Sequence, residues 1–99
     1  MPLSVIIITR NESANIVACL ESVAFADEVI VLDGQSTDDT VALAQKQGAK
    51  VFLADSWEGF GPQKNKALSF ASYEWVLSID ADERVSADLS LEIKRVLSQ

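Results

Sequence analysis

The sequence predicts an α/β domain built on a parallel sheet. Four short apolar runs rich in β-branched residues alternate with helical segments, in the order βαβαβαβα. Within the runs, Val5-Ile6-Ile7-Ile8 and Val29-Ile30-Val31-Leu32 do not alternate apolar with polar, as expected of strands covered on both faces. That order calls for right-handed crossovers, with helices lying on the faces of the sheet.

The first strand is expected at Leu3–Thr9. A helix over residues 13–24 then places Ile16, Leu20 and Val23 on one stripe, with Val17 beside it. The second strand is expected at Glu28–Leu32. The helix after it, over 37–47, has Val41 and Ala44 at helical spacing. Ser36 is its expected cap, Asp39 stands three positions on, and Asp38 favours the positive end of the dipole. Gly48 is expected to end it. The third strand is Lys50–Leu53. Ala54–Gly61 follows as an irregular stretch with two glycines and two aromatics, the kind of loop that often binds ligands. Pro62, a good first-turn residue, opens a third helix that runs to about Ala71. The fourth strand is Glu74–Ile79. Ser86 caps the last helix, which turns Leu89, Ile93 and Val96 or Leu97 inward.

At 99 residues and 48% apolar content the chain is one domain with a modest core. No apolar run is long enough to cross a bilayer, and Met1–Val5 lacks the basic segment of a signal peptide, so a soluble, cytoplasmic protein is expected. The formal charge of −7 argues against nonspecific binding to nucleic acid. It also means that phosphates can be bound only with a cation or with the few basic side chains concentrated locally. Cys19 is the single cysteine, so no internal disulfide forms; it is expected on the buried face of a helix. There is no internal repeat and no histidine, which removes any histidine-dependent triad or metal site.

Ligands of open parallel sheets bind beyond the carboxyl ends of the strands. Those ends read Thr9-Arg10-Asn11-Glu12, Asp33-Gly34-Gln35-Ser36, Trp57-Glu58-Gly59-Phe60-Gly61 and Asp80-Ala81-Asp82-Glu83, so polar and acidic groups gather from four places at one edge. Asp80-Ala81-Asp82 is the sharpest feature. Two carboxylates at that spacing after an apolar strand can face one pocket, one holding a ribose hydroxyl or a metal-bound water, the other a hard cation. The plain alternative is a strand-end turn with a capping acid. Glu83 either joins the metal's shell or is an exposed turn acid, the latter being the preferred reading. Asp33 stands where a carboxylate commonly accepts hydrogen bonds from a nucleoside, and Glu12 either faces the same pocket or favours the first turn of its helix. Lys64 and Lys66 stand at a helix start, which attracts phosphate; the alternative is two solvated lysines. No glycine fingerprint follows the first strand, and no P-loop is present.

The blocks Val5-Ile6-Ile7-Ile8-Thr9-Arg10-Asn11-Glu12, Val31-Leu32-Asp33-Gly34-Gln35-Ser36-Thr37-Asp38-Asp39-Thr40 and Leu77-Ser78-Ile79-Asp80-Ala81-Asp82-Glu83 resemble the inverting family 2 glycosyltransferases. They cover nearly the whole chain. Trp57-Glu58-Gly59-Phe60-Gly61-Pro62-Gln63-Lys64-Asn65-Lys66-Ala67-Leu68 is similar to the subgroup that adds glucose to the lipopolysaccharide core of Gram-negative bacteria.

The resemblance implies a Rossmann-like GT-A fold, a three-layer α/β/α arrangement with a mostly parallel sheet in the order 3-2-1-4. That order brings Glu12 together with Asp80 and Asp82. It further implies that Thr9 and Glu12 line the nucleoside pocket and that Asp33 bonds the uracil or ribose. Lys64 would stand where many members have an arginine beside base and phosphates. Asp80 would meet the ribose and metal side, and Asp82 would coordinate Mg2+ or Mn2+ bridging the phosphates. The donor would be a UDP-sugar, and the acceptor a saccharide or lipid-linked saccharide reached from the cytoplasmic face of the inner membrane. The carboxylate base is expected beyond Gln99, which makes this chain the donor-binding part, with uncovered apolar surface favouring self-association. Two rivals remain. A haloacid-dehalogenase-like phosphatase shares the Asp80-Ala81-Asp82 pattern but needs it on the first strand, and a non-catalytic binding module would use the same fold.

Overall fold

The computed structural model describes every residue from Met1 to Gln99. Its elements are β1 (Leu3–Thr9), α1 (Ile16–Ser22), β2 (Glu28–Asp33), α2 (Thr40–Lys46), β3 (Lys50–Leu53), α3 (Phe60–Ser69), β4 (Trp75–Ser78) and α4 (Ala87–Leu97). The four strands form one sheet in the order β3-β2-β1-β4, and every pairing is parallel. The expected fold class and strand order are both observed.

β1 is buried along its whole length because it is central and covered on both faces. Val5 and Ile7 pack with Val31 against Ile16, Cys19 and Leu20 of α1 and Ala44 of α2. Ile6 and Ile8 turn the other way, joining Ile30, Leu32 and Ala67 of α3. Phe52 and Phe70 stack at 4.0 Å between ring centroids beside this second cluster. The continuous apolar runs are thus explained by two separate cores, one per face. β3 and β4, at the edges, are short and half-exposed.

The differences from expectation lie mostly at element ends. β2 runs one residue further, to Asp33, because Thr9 and Asp33 pair in register. α1 begins only at Ile16, since residues before it make a tight turn in which Asn15 and Ile16 both donate to the Glu12 carbonyl. Ser36 does not cap α2. That helix starts at Thr40 behind Asp39, because the Ser36 hydroxyl is taken up by Asn11 and Asp33. Gly48 does end α2. Its φ of +88° lets Gly48 and Ala49 donate back to Gln45 and Ala44, which closes the helix. α3 starts at Phe60, two residues ahead of Pro62, which stays within the first turn where its missing N–H costs nothing. Ser86 caps α4 as expected, accepting from the Leu89 N–H at 3.1 Å. Of the apolar residues expected inward on α4, Ile93 and Leu97 pack on the core, whereas Leu89 and Val96 are exposed. An edge strand offers α4 too narrow a surface to cover its whole apolar face.

At the amino ends of the strands, Glu28 is a buried carboxylate with four donors. Ser4 Oγ donates to it at 2.7 Å, the Ser72 N–H at 2.8 Å, Ser72 Oγ at 2.7 Å and Lys50 Nζ at 2.8 Å. Burial works against its charge, but the bonds from Lys50, Ser72 and Ser4 prevail and hold its pKa at about 2. Glu28 thereby ties β1, β2, β3 and the turn before β4 into one unit. A cavity of about 450 Å³ lies beside it, but the Glu28–Lys50 pair that borders it is already satisfied.

Candidate functional site: a carboxylate cleft at the strand ends

At the opposite end of the sheet, β1 and β2 finish side by side. Thr9 Oγ1 donates to Asp33 Oδ1 at 2.7 Å, and Asp33 also accepts from the Ser36 N–H at 2.8 Å and from Ser36 Oγ. Thr9 and Asp33 are each 1% exposed. Both oxygens of Asp33 are therefore engaged within the protein. The surrounding loops are laced together in the same way. Asn11, held at a φ of +56°, donates its N–H to Ser36 Oγ and accepts from the Thr37 N–H, while the Glu12 N–H donates to Thr40 Oγ1. Asp38 bonds Thr40 and the Ser13 N–H, and the Thr40 hydroxyl foremost holds its pKa at about 2. Two loops after two strands become one rigid rim.

β4 delivers Asp80-Ala81-Asp82 to the other side of β1. The turn is closed by Glu83, whose Oε1 accepts from the Asp80 N–H at 2.8 Å. Glu83 is thus exposed and occupied with its own turn, as expected. Cys19, buried on α1, sends its thiol toward the Asp80 carbonyl at 3.7 Å, and burial pushes its pKa up to about 11. Between β1 and β4 lies a cleft of about 150 Å³ lined by Ile8, Glu12, Phe60, Asp80, Ala81 and Asp82. Three carboxylates from two strands converge there. Lys64, from α3, stands 3.6 Å from Asp80 Oδ1, both groups half-exposed.

The structure therefore brings together Glu12, Asp80, Asp82 and Lys64 of the sequence-predicted residues. Thr9 and Asp33 lie behind the rim, buried, on the α1/α2 side of the sheet. No three acidic or sulfur side chains form a ready-made cage for a metal. The donor set of exposed carboxylate oxygens nevertheless suits a hard divalent cation that keeps waters and takes further oxygens from a ligand. Two residues of this edge were not singled out from sequence. Trp57 lies across Gly34, and Gln63 is buried beneath it. The signal for Gln63 was its spacing four residues before Ala67, which puts a polar side chain on the inward face of α3.

Comparison with known proteins agrees with this geometry. The model of glycosyl transferase family 2 matches residues 4–95. An uncharacterized glycosyltransferase of Rickettsia conorii is 47% identical over 97 residues, 97% of this chain and 34% of its own length. The lipopolysaccharide core biosynthesis glycosyltransferase LpsC of Rhizobium meliloti is 40% identical over 93 residues, 90% of this chain and 34% of its own. The chain thus spans about a third of the length of these relatives. Among solved structures, glucosyl-3-phosphoglycerate synthase of Mycobacterium tuberculosis in complex with UDP superposes with a TM-score of 0.80 at 28% identity, over 99% of this chain and 40% of that one. The same synthase with Mn2+, UDP and glucosyl-3-phosphoglycerate gives 0.73 at 32% identity, over 81% of this chain and 33% of that one. The sheet order, the carboxylate pair after the last strand and the family match lead to one conclusion: the chain has the GT-A fold and belongs to glycosyl transferase family 2.

Proposed function

We propose that this chain is the donor-binding part of a glycosyltransferase that moves a hexose, glucose, from a UDP-sugar to a saccharide acceptor of the lipopolysaccharide-core type, with inversion. The observation that supports this most directly is the convergence of Glu12, Asp80 and Asp82 in one cleft, with Lys64 beside Asp80. The UDP and Mn2+ bound by the Mycobacterium tuberculosis synthase and the core-biosynthesis role in the name of LpsC support the choice of donor, metal and acceptor.

Asp82, with Asp80, would hold Mg2+ or Mn2+, which supplies positive charge to the pyrophosphate and eases departure of the nucleoside diphosphate. Lys64 adds a second cation on the same side, 3.6 Å from Asp80 Oδ1. In a protein of net charge −7, this is where a phosphate group can be tolerated. Glu12 contributes a further acceptor for sugar or ribose hydroxyls. The base that takes the acceptor's proton belongs, on this reading, to chain outside these residues, as does most of the acceptor site. No helix is long and apolar enough to cross a membrane. A lipid-linked acceptor, if that is the acceptor class, would be met peripherally at the cytoplasmic face of the inner membrane.

The test is calorimetric titration of UDP, GDP, ADP and NAD+ at equal concentration in Mn2+. UDP is expected to bind tightest. NAD+ binding more tightly than UDP would sink the reading.

A further inference from the structure

Asn15 stands at the N-cap of α1, a position where an asparagine side chain commonly accepts a helix N–H, yet it makes no such bond. Its amide is turned elsewhere. Nδ2 donates to Glu12 Oε2 at 3.2 Å, and Oδ1 accepts from Arg84 Nη2 at 3.3 Å. The amide can sit in one sense only, because a guanidinium only donates and a carboxylate only accepts. A favourable local cap is given up for a bridge to a residue 69 positions away.

Both ends of that bridge are tied to the carboxylate cleft. Glu12 lines the cleft just beyond β1, and its other carboxylate oxygen has no partner in the chain. At the far end, Arg84 Nη1 donates to the carbonyls of Ala81 at 3.1 Å and Glu83 at 2.8 Å, within the turn that carries Asp80 and Asp82. α1 grips the same turn at two further points. The Cys19 thiol is directed at the Asp80 carbonyl, and Ser22 Oγ accepts from the Val85 N–H at 3.0 Å. Arg84 forms no ion pair with any carboxylate. Its guanidinium is spent on two carbonyls and one amide.

Charge explains why the bridge is an amide. Glu12, Asp80 and Asp82 line one cleft and repel one another, and Glu12 has the longest and most mobile side chain of the three. A lysine or arginine touching Glu12 would hold it but would also offset its charge. A neutral amide, held from behind by Arg84, fixes the direction of Glu12 and leaves its charge for a ligand.

We propose that Asn15 and Arg84 are positioning residues of the cleft: the amide, clamped by the guanidinium, sets Glu12 against the Asp80-Ala81-Asp82 turn. This rests on the nucleotide-sugar reading above and adds to it the pair that aligns the two groups of carboxylates.

The experiment measures UDP-glucose binding in Mn2+ by calorimetry, together with thermal unfolding. It compares the chain with Asn15→Ser, Arg84→Lys, Glu12→Ala and the combined Glu12→Ala, Asn15→Ser variant. Serine is a good N-cap but too short to join Glu12 to Arg84. Asn15→Ser is therefore expected to keep or raise thermal stability while lowering affinity about ten-fold. Arg84→Lys keeps the charge, loses the fork, and is expected to lose affinity to a similar extent. In the Glu12→Ala background, Asn15→Ser is expected to cost nothing further, since the amide then has nothing to position. Unchanged affinity in Asn15→Ser or in Arg84→Lys overturns the proposal, and so does an equal loss from Asn15→Ser with and without Glu12. A fall in the stability of Asn15→Ser does the same, because the amide would then serve the fold. Absence of UDP-glucose binding by the unsubstituted chain defeats the nucleotide-sugar reading and this inference together. Mn2+-dependent binding that ignores Asn15 defeats this inference alone.

Discussion

Asp82→Asn is expected to weaken UDP binding in Mn2+ by about ten-fold or more, and to change it little in EDTA. The substitution keeps the shape of the side chain and deletes its charge. On the proposed reading the lost carboxylate would be a lost metal ligand, and the cation would then offset less of the repulsion between the pyrophosphate and Glu12 and Asp80, which line the same cleft. In EDTA no cation is available to be held, so the two proteins should bind UDP equally weakly. Asp82 is exposed and makes no hydrogen bond to the rest of the chain, so thermal stability should stay within about 1 kcal/mol of the unsubstituted protein. Calorimetry in the two buffers reads the difference directly. Equal affinity of the two proteins in Mn2+ would reduce the Asp80-Ala81-Asp82 pattern to a turn.

Glu28→Ala is expected to cost about 3 kcal/mol of folding stability at pH 7, the largest single loss expected outside the apolar core. It strands Ser4 Oγ and the Ser72 N–H and frees the turn before β4. Glu28→Gln keeps an acceptor in place and should cost less. The two proteins also differ in acid. The Glu28 carboxyl titrates at about 2 in the fold against an ordinary 4.5, so its charge contributes stability in full above pH 4.5. That contribution drains away as the pH falls from 4.5 toward 2. The stability gap between the unsubstituted protein and Glu28→Gln should therefore narrow across that window in denaturant unfolding measurements. A gap that stays constant from pH 7 to pH 2.5 would remove Glu28 from its assigned role.

Glu28 illustrates what a sequence reading passes over. In the sequence it is only the first residue of an apolar strand. Its importance comes from Ser4, Lys50 and Ser72, which lie 24, 22 and 44 positions away and are brought to it by the parallel register. Ser36 teaches the same lesson in reverse. Its place before an acidic, helix-forming run made it the natural cap of α2, yet Asn11 and Asp33 compete for the hydroxyl and win it. Local capping preferences amount to about 1 kcal/mol and yield to such networks.

The sequence by itself determined the order and type of all eight elements, the burial of β1 on both faces, and the edge of the sheet where acidic groups collect. These follow from hydrophobic periodicity and from strand-to-helix succession, which are properties of neighbouring residues. It also carried the family resemblance, since the blocks ending in Glu12, Thr40 and Glu83 stand contiguous in the chain. The tertiary structure decided which of those groups share a cleft. Crossing back over the sheet through α3 sets β4 beside β1, so Glu12 meets Asp80 and Asp82, while Asp33 is drawn behind the rim by Thr9 and Ser36. It likewise decided that Trp57 rests on Gly34 above an unmet Gln63 amide, a relation among three segments that no local pattern encodes. Secondary structure is specified by near neighbours; a binding site is specified by which strand ends the topology makes adjacent.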